Sequence, residues 1–212
     1  MAALDLQEQE QLETLKAWWK DNGNWVLGVV LVVVVAMGGW RGWQYYQHKQ
    51  TSEAATLYQQ FIEQLASDDA KRVNDAAAAV MDKYAATPYA SRAALIAAQV
   101  NESGKEPLRA KTQLQWVIEH ASENGLKSVA SLRMASILLD EKDYAGALKL
   151  LDAKHAASFD ALYADLKGDV LGAQGKPAEA RAAYQLAFDK LDEKSTYRNL
   201  VQMKLDAYGA KK

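Results

Sequence analysis

Gly168-Asp-Val-Leu171-Gly-Ala-Gln-Gly175-Lys-Pro177-Ala-Glu-Ala180-Arg-Ala-Ala-Tyr184-Gln-Leu-Ala187 is the stretch whose reading decides the fold. Small residues at Gly168, Ala180 and Ala187 suit places where two antiparallel helices touch, and Leu171 and Tyr184 fill the space between them. Gly175 marks the turn. Pro177 opens the second helix, where a missing N–H costs nothing. The same register appears upstream at Ala135, Leu138, Tyr144, Ala147 and Leu151, and in a weaker copy at Ala98, Ala110, Leu114 and Val117.

Ala110 and Ala147 are 37 residues apart and Ala147 and Ala180 are 33 apart, close to the period of about 34 of a tetratricopeptide helix pair. Three copies in register predict an all-α, tetratricopeptide-like repeat array. Ser195 to Tyr208 places Tyr197, Leu200, Val201, Leu205 and Tyr208 on a helix suited to cap the last apolar face. Before the repeats, Ala54, Tyr58, Phe61 and Leu65 recur at helical spacing, so this helix is read as continuing from the segment upstream. Asp68-Asp69 reads as a helix start and Thr87-Pro88 as a stop and restart; Asn101-Glu102-Ser103-Gly104 and Glu123-Asn124-Gly125 read as breaks. In such arrays the first helix of each pair lines a groove. That geometry puts Asp165 and Asp169 on a candidate partner groove, with solvated helix acids as the plainer alternative.

The N-terminal part is a different material. Trp25 to Trp40 is sixteen residues without a charge, and continuing past Arg41 to Tyr46 gives 22 residues. At about 1.5 Å per residue this spans about 33 Å, enough for a hydrocarbon core of about 30 Å. Trp25 on one flank and Trp40, Trp43 and Tyr46 on the other form a two-sided aromatic belt. Valine favours strands in water, but an open strand leaves its backbone unsatisfied in lipid, so the segment is a helix. The domains therefore read as a tail over 1–24, a transmembrane helix over 25–46 and a repeat domain over 47–212. A cleavable signal peptide fits less well because residues 1–24 carry five acids against Lys16 and Lys20. A buried core helix would seldom carry aromatic girdles at both ends. Gly38-x-x-x-Gly42 fits a helix-packing pattern but lies at the membrane edge around Arg41.

Leu4, Leu12, Leu15, Trp18 and Trp19 share one face of the tail at about 100° per residue. This stripe suits an interfacial helix lying on the bilayer or a docking helix for a membrane partner. Flanking charges leave orientation open, and the layout of a short tail before a long domain favours translocation of the C-terminal part.

The composition excludes several classes. The chain has 25 Lys and Arg against 27 Asp and Glu, and no cysteine. Residues 47–212 balance 22 positive and 22 negative side chains, which disfavours a nucleic-acid clamp. His48, His120 and His155 lie far apart without metal-ligand spacing and read as solvated. Phosphate loops, nucleophile elbows and thiol chemistry have no motif here. Asp140/Glu141 and Asp192/Glu193 read as turn carboxylates, and Asn101-Glu102-Ser103 matches a sequon at chance level. No catalytic residue, cofactor or metal is expected, so the function is read as binding, not enzymatic.

Glu13-Thr14-Leu15-Lys16-Ala17-Trp18-Trp19-Lys20, Trp40-Arg41-Gly42-Trp43, and Leu132-Arg133-Met134-Ala135 leading to Asp143-Tyr144-Ala145-Gly146-Ala147-Leu148 follow one another in an order that resembles the YfgM family. The resemblance implies an ancillary subunit of the bacterial SecYEG translocon in the inner membrane, with its N-terminus in the cytoplasm and its repeats in the periplasm. It implies partnership with SecYEG and with a PpiD-type periplasmic chaperone, near emerging secreted polypeptides. It carries over no catalytic residues. The competing expectation is a membrane-anchored scaffold for envelope or division-site assembly.

Overall fold

All three prolines of the chain open a helix: Pro88, Pro107 and Pro177 are each the first helical residue. A computed structural model describes the backbone of residues 2–67 and 69–209, with side chains from residue 8 onward. Its helices are α1 (Ala2–Gln64), α2 (Ala70–Lys83), α3 (Pro88–Ser103), α4 (Pro107–His120), α5 (Asn124–Asp140), α6 (Tyr144–Leu151), α7 (Asp160–Ala173), α8 (Pro177–Lys190) and α9 (Tyr197–Ala207). Short 3-10 turns cover Leu65–Ser67 and Ala157–Phe159, and no strand occurs among the described residues. The chain divides into two compact units, Met1–Lys49 and Gln50–Lys212.

In the second unit the helices pair as the spacing predicts. Ala98, Ala110, Ala135, Ala147, Ala180 and Ala187 are fully buried at helix–helix contacts, with Leu114 and Tyr184 between them. The turns within three pairs repeat one design. Lys105, Lys142 and Gly175 adopt φ of 59°, 63° and 74° at the same place. In each, the following residue donates its N–H back into the helix just ended: Glu106 to Asn101, Asp143 to Leu138 and Lys176 to Leu171. Such a left-handed residue closes the orphan carbonyls of a helix end. Glycine reaches that conformation without strain, whereas lysine holds it at a cost of about 1 kcal/mol.

A fourth pair stands in front of the three expected. The end of α1 packs against α2 through Phe61, Val73, Ala77 and Val80. Ala77 is fully buried and lies 33 residues before Ala110, so the alanine register runs through all four pairs. Asp69 caps α2 by accepting from Lys71 N and Arg72 N at 3.0 and 3.2 Å; Asp68 lies outside the described residues. The apolar clusters interlock, with Trp116 packed on the first two and Leu148 on two later ones.

Two expectations change. The copy at Ala98 and Ala110, the weakest by sequence, is regular, with helices of 16 and 14 residues. The irregular pair is α5/α6, because α6 has only 8 residues. There the chain is diverted: Ala156 N donates to Ser128 Oγ at 3.0 Å and Tyr163 Oη to Ser128 O at 3.1 Å. His155 belongs to that diversion and is not solvated, since its ring stacks on Tyr163 at 3.8 Å and Nε2 lies 3.3 Å from Asp160. His120 stacks on Trp116 at 4.6 Å but remains exposed, in line with the solvated reading. Finally, the breaks fall where expected to within a few residues, at 104–106 and 121–123, so that Asn124 opens α5 and Asn101 lies in the last turn of α3. Asn101 is buried, exchanging amide hydrogen bonds of 2.8 Å with Asn74 and reaching Gln113 at 2.7 Å. This network ties α2, α3 and α4 together, and its polar groups must be satisfied because water is excluded.

At Gly168 the two helices of the last pair come too close for a side chain, because a Cβ built there would stand 2.5 Å from the Tyr184 ring. Gly168→Ala will therefore destabilise the chain by about 1–3 kcal/mol despite alanine's better helix propensity. The opposite sign is expected for Lys142→Gly, by about 0.5–1 kcal/mol. Denaturant midpoints of the full chain in detergent, followed by circular dichroism, check both.

Candidate functional site

In the first unit the most apolar stretch is also the most exposed. Trp25, Trp40, Trp43 and Tyr46 show 73%, 65%, 59% and 55% of their surface, and every residue from Val29 to Val35 is exposed. A helix satisfies its own backbone, so side chains such as these face whatever surrounds it. Trp43 and Tyr46 stand one turn apart with ring centroids at 6.4 Å. A Cβ at Gly38 or Gly42 would meet nothing within 4 Å, so this face is open.

In the repeat unit Asp165 and Asp169 do not line an open groove. Asp165 is buried and accepts from Tyr197 Oη at 2.7 Å and Lys204 Nζ at 2.9 Å. Asp169 accepts from Tyr184 Oη and Lys204 Nζ, both at 2.8 Å. The reason is positional: α7 is the first helix of the last pair, and α9 occupies the place of the next first helix. The face of α7 carrying both acids thus meets the terminal helix. Val201 and Leu205 supply the apolar side of the same contact, and Tyr208 sits against Gly172, where no Cβ would fit. Arg198 stacks on Phe188 at 3.7 Å and donates to Phe188 O and Leu191 O, closing the end of α8.

Burial opposes the charge of Lys204, but hydrogen bonds and charges from Asp165 and Asp169 outweigh it and raise its pKa. Burial raises Tyr184 and Tyr197 as well, reinforced by their bonds to Asp169 and Asp165. The cluster is a structural lock rather than an acid–base site.

An open apolar cleft lies elsewhere, at the front of the array. It has a volume of about 670 Å³ and is walled by Leu65, Val73, Ile96 and Val100, with Asp69, Gln99 and Ser103 at its polar edge. Its origin can be read in the register. Ala98, Ala135 and Gly168 let their pairs close, whereas the matching position, 33 residues before Ala98, is Leu65. Moreover α1 ends at Gln64 and tightens into a 3-10 turn, so the last turns of α3, packed on α2 and α4, lack a neighbour on the side of α1. Beside it, Arg133 donates to Leu95 O at 3.2 Å and Gln99 Oε1 at 3.4 Å, tying α5 to α3. Burial raises the Glu102 carboxyl, with Arg133 working against that rise. The sequence reading missed this cleft; the break in the run of small residues was the available signal. No group of His, Cys, Asp and Glu suited to hold a metal occurs among the described residues.

The family of tetratricopeptide repeat-like domains matches residues 16–210. The ancillary SecYEG translocon subunit of Neisseria gonorrhoeae is 30% identical over 97% of this chain and 99% of its own. The chain belongs to the YfgM family. The protein of the same name from Escherichia coli is 29% identical over 94% of this chain and 95% of its own. That of Haemophilus influenzae is 27% identical, covering 87% and 90%. No solved structure matches the chain. The match from residue 16 onward shows that the long apolar helix, and not only the repeats, is part of what this YfgM-family chain shares.

The three raised pKa values share one sign. Each group holds its proton more tightly when folded, so its contribution is full below the ordinary Tyr and Lys values of about 10 to 10.4 and is lost as pH rises through the folded values. Stability against denaturant should be flat from neutral pH to about pH 9.5 and fall above it. Lys204→Met leaves Asp165 buried without its cation and should cost about 2–4 kcal/mol, with faster amide exchange concentrated in α9.

Proposed function

We propose that this chain is a non-enzymatic ancillary subunit of the SecYEG translocon in the bacterial inner membrane. Residues 25–46 cross the bilayer, with Trp25, Trp40, Trp43 and Tyr46 at its two surfaces. Residues 1–24 lie in the cytoplasm and residues 47–212 form the periplasmic repeat domain, closed by α9. That domain holds a PpiD-type membrane chaperone or emerging secreted chains beside the channel. Near-full-length similarity to proteins named as translocon subunits carries this reading. The exposed apolar helix and the open cleft support its two halves. A cleft walled by Leu65, Val73, Ile96 and Val100 in a domain of zero net charge suits apolar segments chosen by shape.

Photocrosslinkers at Val29 and Val33 in inner-membrane vesicles should give adducts with translocon subunits; their absence would overturn the assignment. A C-terminal alkaline phosphatase fusion should be active only if the repeats are exported, and a cytoplasmic readout reverses the topology. Ile96→Asp should lower chaperone or nascent-chain adducts from the repeat domain about tenfold through loss of apolar contact, without changing adducts from Val33.

A further inference from the structure

A helix that crosses a bilayer cannot turn flat onto its surface without interrupting its backbone ladder. α1 shows no such interruption between the tail and residues 25–46: Asn22, Gly23 and Asn24 all lie within it. Asn22 Nδ2 donates to Trp18 O at 3.0 Å, and the Trp19 ring lies 3.3 Å from where a Cβ of Gly23 would stand. The tail is therefore coaxial with the span. At about 1.5 Å per residue, Leu15 and Leu12 stand about 15 and 20 Å beyond Trp25. The headgroup layer is only about 5–8 Å deep, so lipid does not reach them. Yet Leu12, Leu15, Trp18 and Trp19 expose 54%, 59%, 51% and 49% of their surface on one face.

We propose that this face docks a helix of another membrane protein whose apolar seam is flanked by lysine and arginine. The inference rests on the membrane assignment of residues 25–46 made above. Charge selects the occupant. Residues 1–24 carry five acids against Lys16 and Lys20, and Glu8 lies one turn before Leu12 on the docking face. A second copy would set this excess of acid against itself, and an anionic bilayer surface would repel it. A basic helix gains on both counts: it covers the two leucines and two tryptophans, and its cations meet Glu8 on the docking face while Glu10 and Glu13, on the far face, add only to the long-range negative potential of the tail.

The chain has no cysteine, so single-cysteine variants of the full chain carry a benzophenone at one chosen place. Leu15→Cys probes the docking face, Ala17→Cys the opposite face and Val33→Cys the span, all in inner-membrane vesicles. The expected result is a protein adduct from position 15 whose crosslinked peptide is net basic, with a much weaker adduct from position 17. Glu8→Lys should cut that adduct about threefold, the size expected of a surface charge pair on the docking face, and the pair Glu10→Lys with Glu13→Lys on the far face should cut it less. Lipid adducts alone, adducts with a second copy, no adduct, or an adduct indifferent to the charge reversal would each overturn the proposal. Translocon adducts from position 33 with none from position 15 would refute docking and leave the proposed function standing. The reverse pattern would refute the proposed function and leave the docking face.

Discussion

The fold depends on helices approaching one another closely at Ala77, Ala110, Ala147 and Ala180, all fully buried. Alanine presents only a Cβ, so the facing helix can come near enough for its large side chains to pack on backbone. Gly168 carries the same constraint to its limit, since the Tyr184 ring fills the volume a Cβ would take. Each pair then buries its apolar face only against its neighbours. Trp116 and Leu148 pass the core from one cluster to the next.

A stack of this kind has ends, and the two ends are treated differently. At the back, α9 covers α7 and α8 with Val201 and Leu205, and the Lys204 cluster pins its orientation by pairing two acids with one cation. At the front, Leu65 stands where the other pairs have a small residue, and α1 has already left its helical course. The result is an apolar cleft that the array does not fill by itself. In the first unit the ordinary rule is inverted: the valine-rich helix exposes its apolar side chains, as a helix must when its solvent is lipid.

Much of this was legible in sequence because helix pairing leaves a periodic trace. The spacings from Ala110 to Ala147 to Ala180, Pro177 at a helix start and the charge-free run from Trp25 to Trp40 each report a local requirement. The first pair escaped because the trace needs a small residue in both helices, and Leu65 breaks it in one. Asn101 was read as a breaker because asparagine competes with helix locally. Its half-buried partners, Asn74 and Gln113, lie 27 and 12 residues away in sequence.

By itself, then, the sequence determined an all-α chain, one membrane-length helix, the repeat register and the family resemblance. These follow from period, length and small-residue spacing, which are properties of one helix or one turn at a time. Only the tertiary structure decided which neighbour each face meets. It turned Asp165 and Asp169 toward α9 and away from any open groove, placed His155 against Tyr163, and left the front cleft uncovered. A helix face carries the same residues whatever lies opposite, and what lies opposite depends on how the pairs stack.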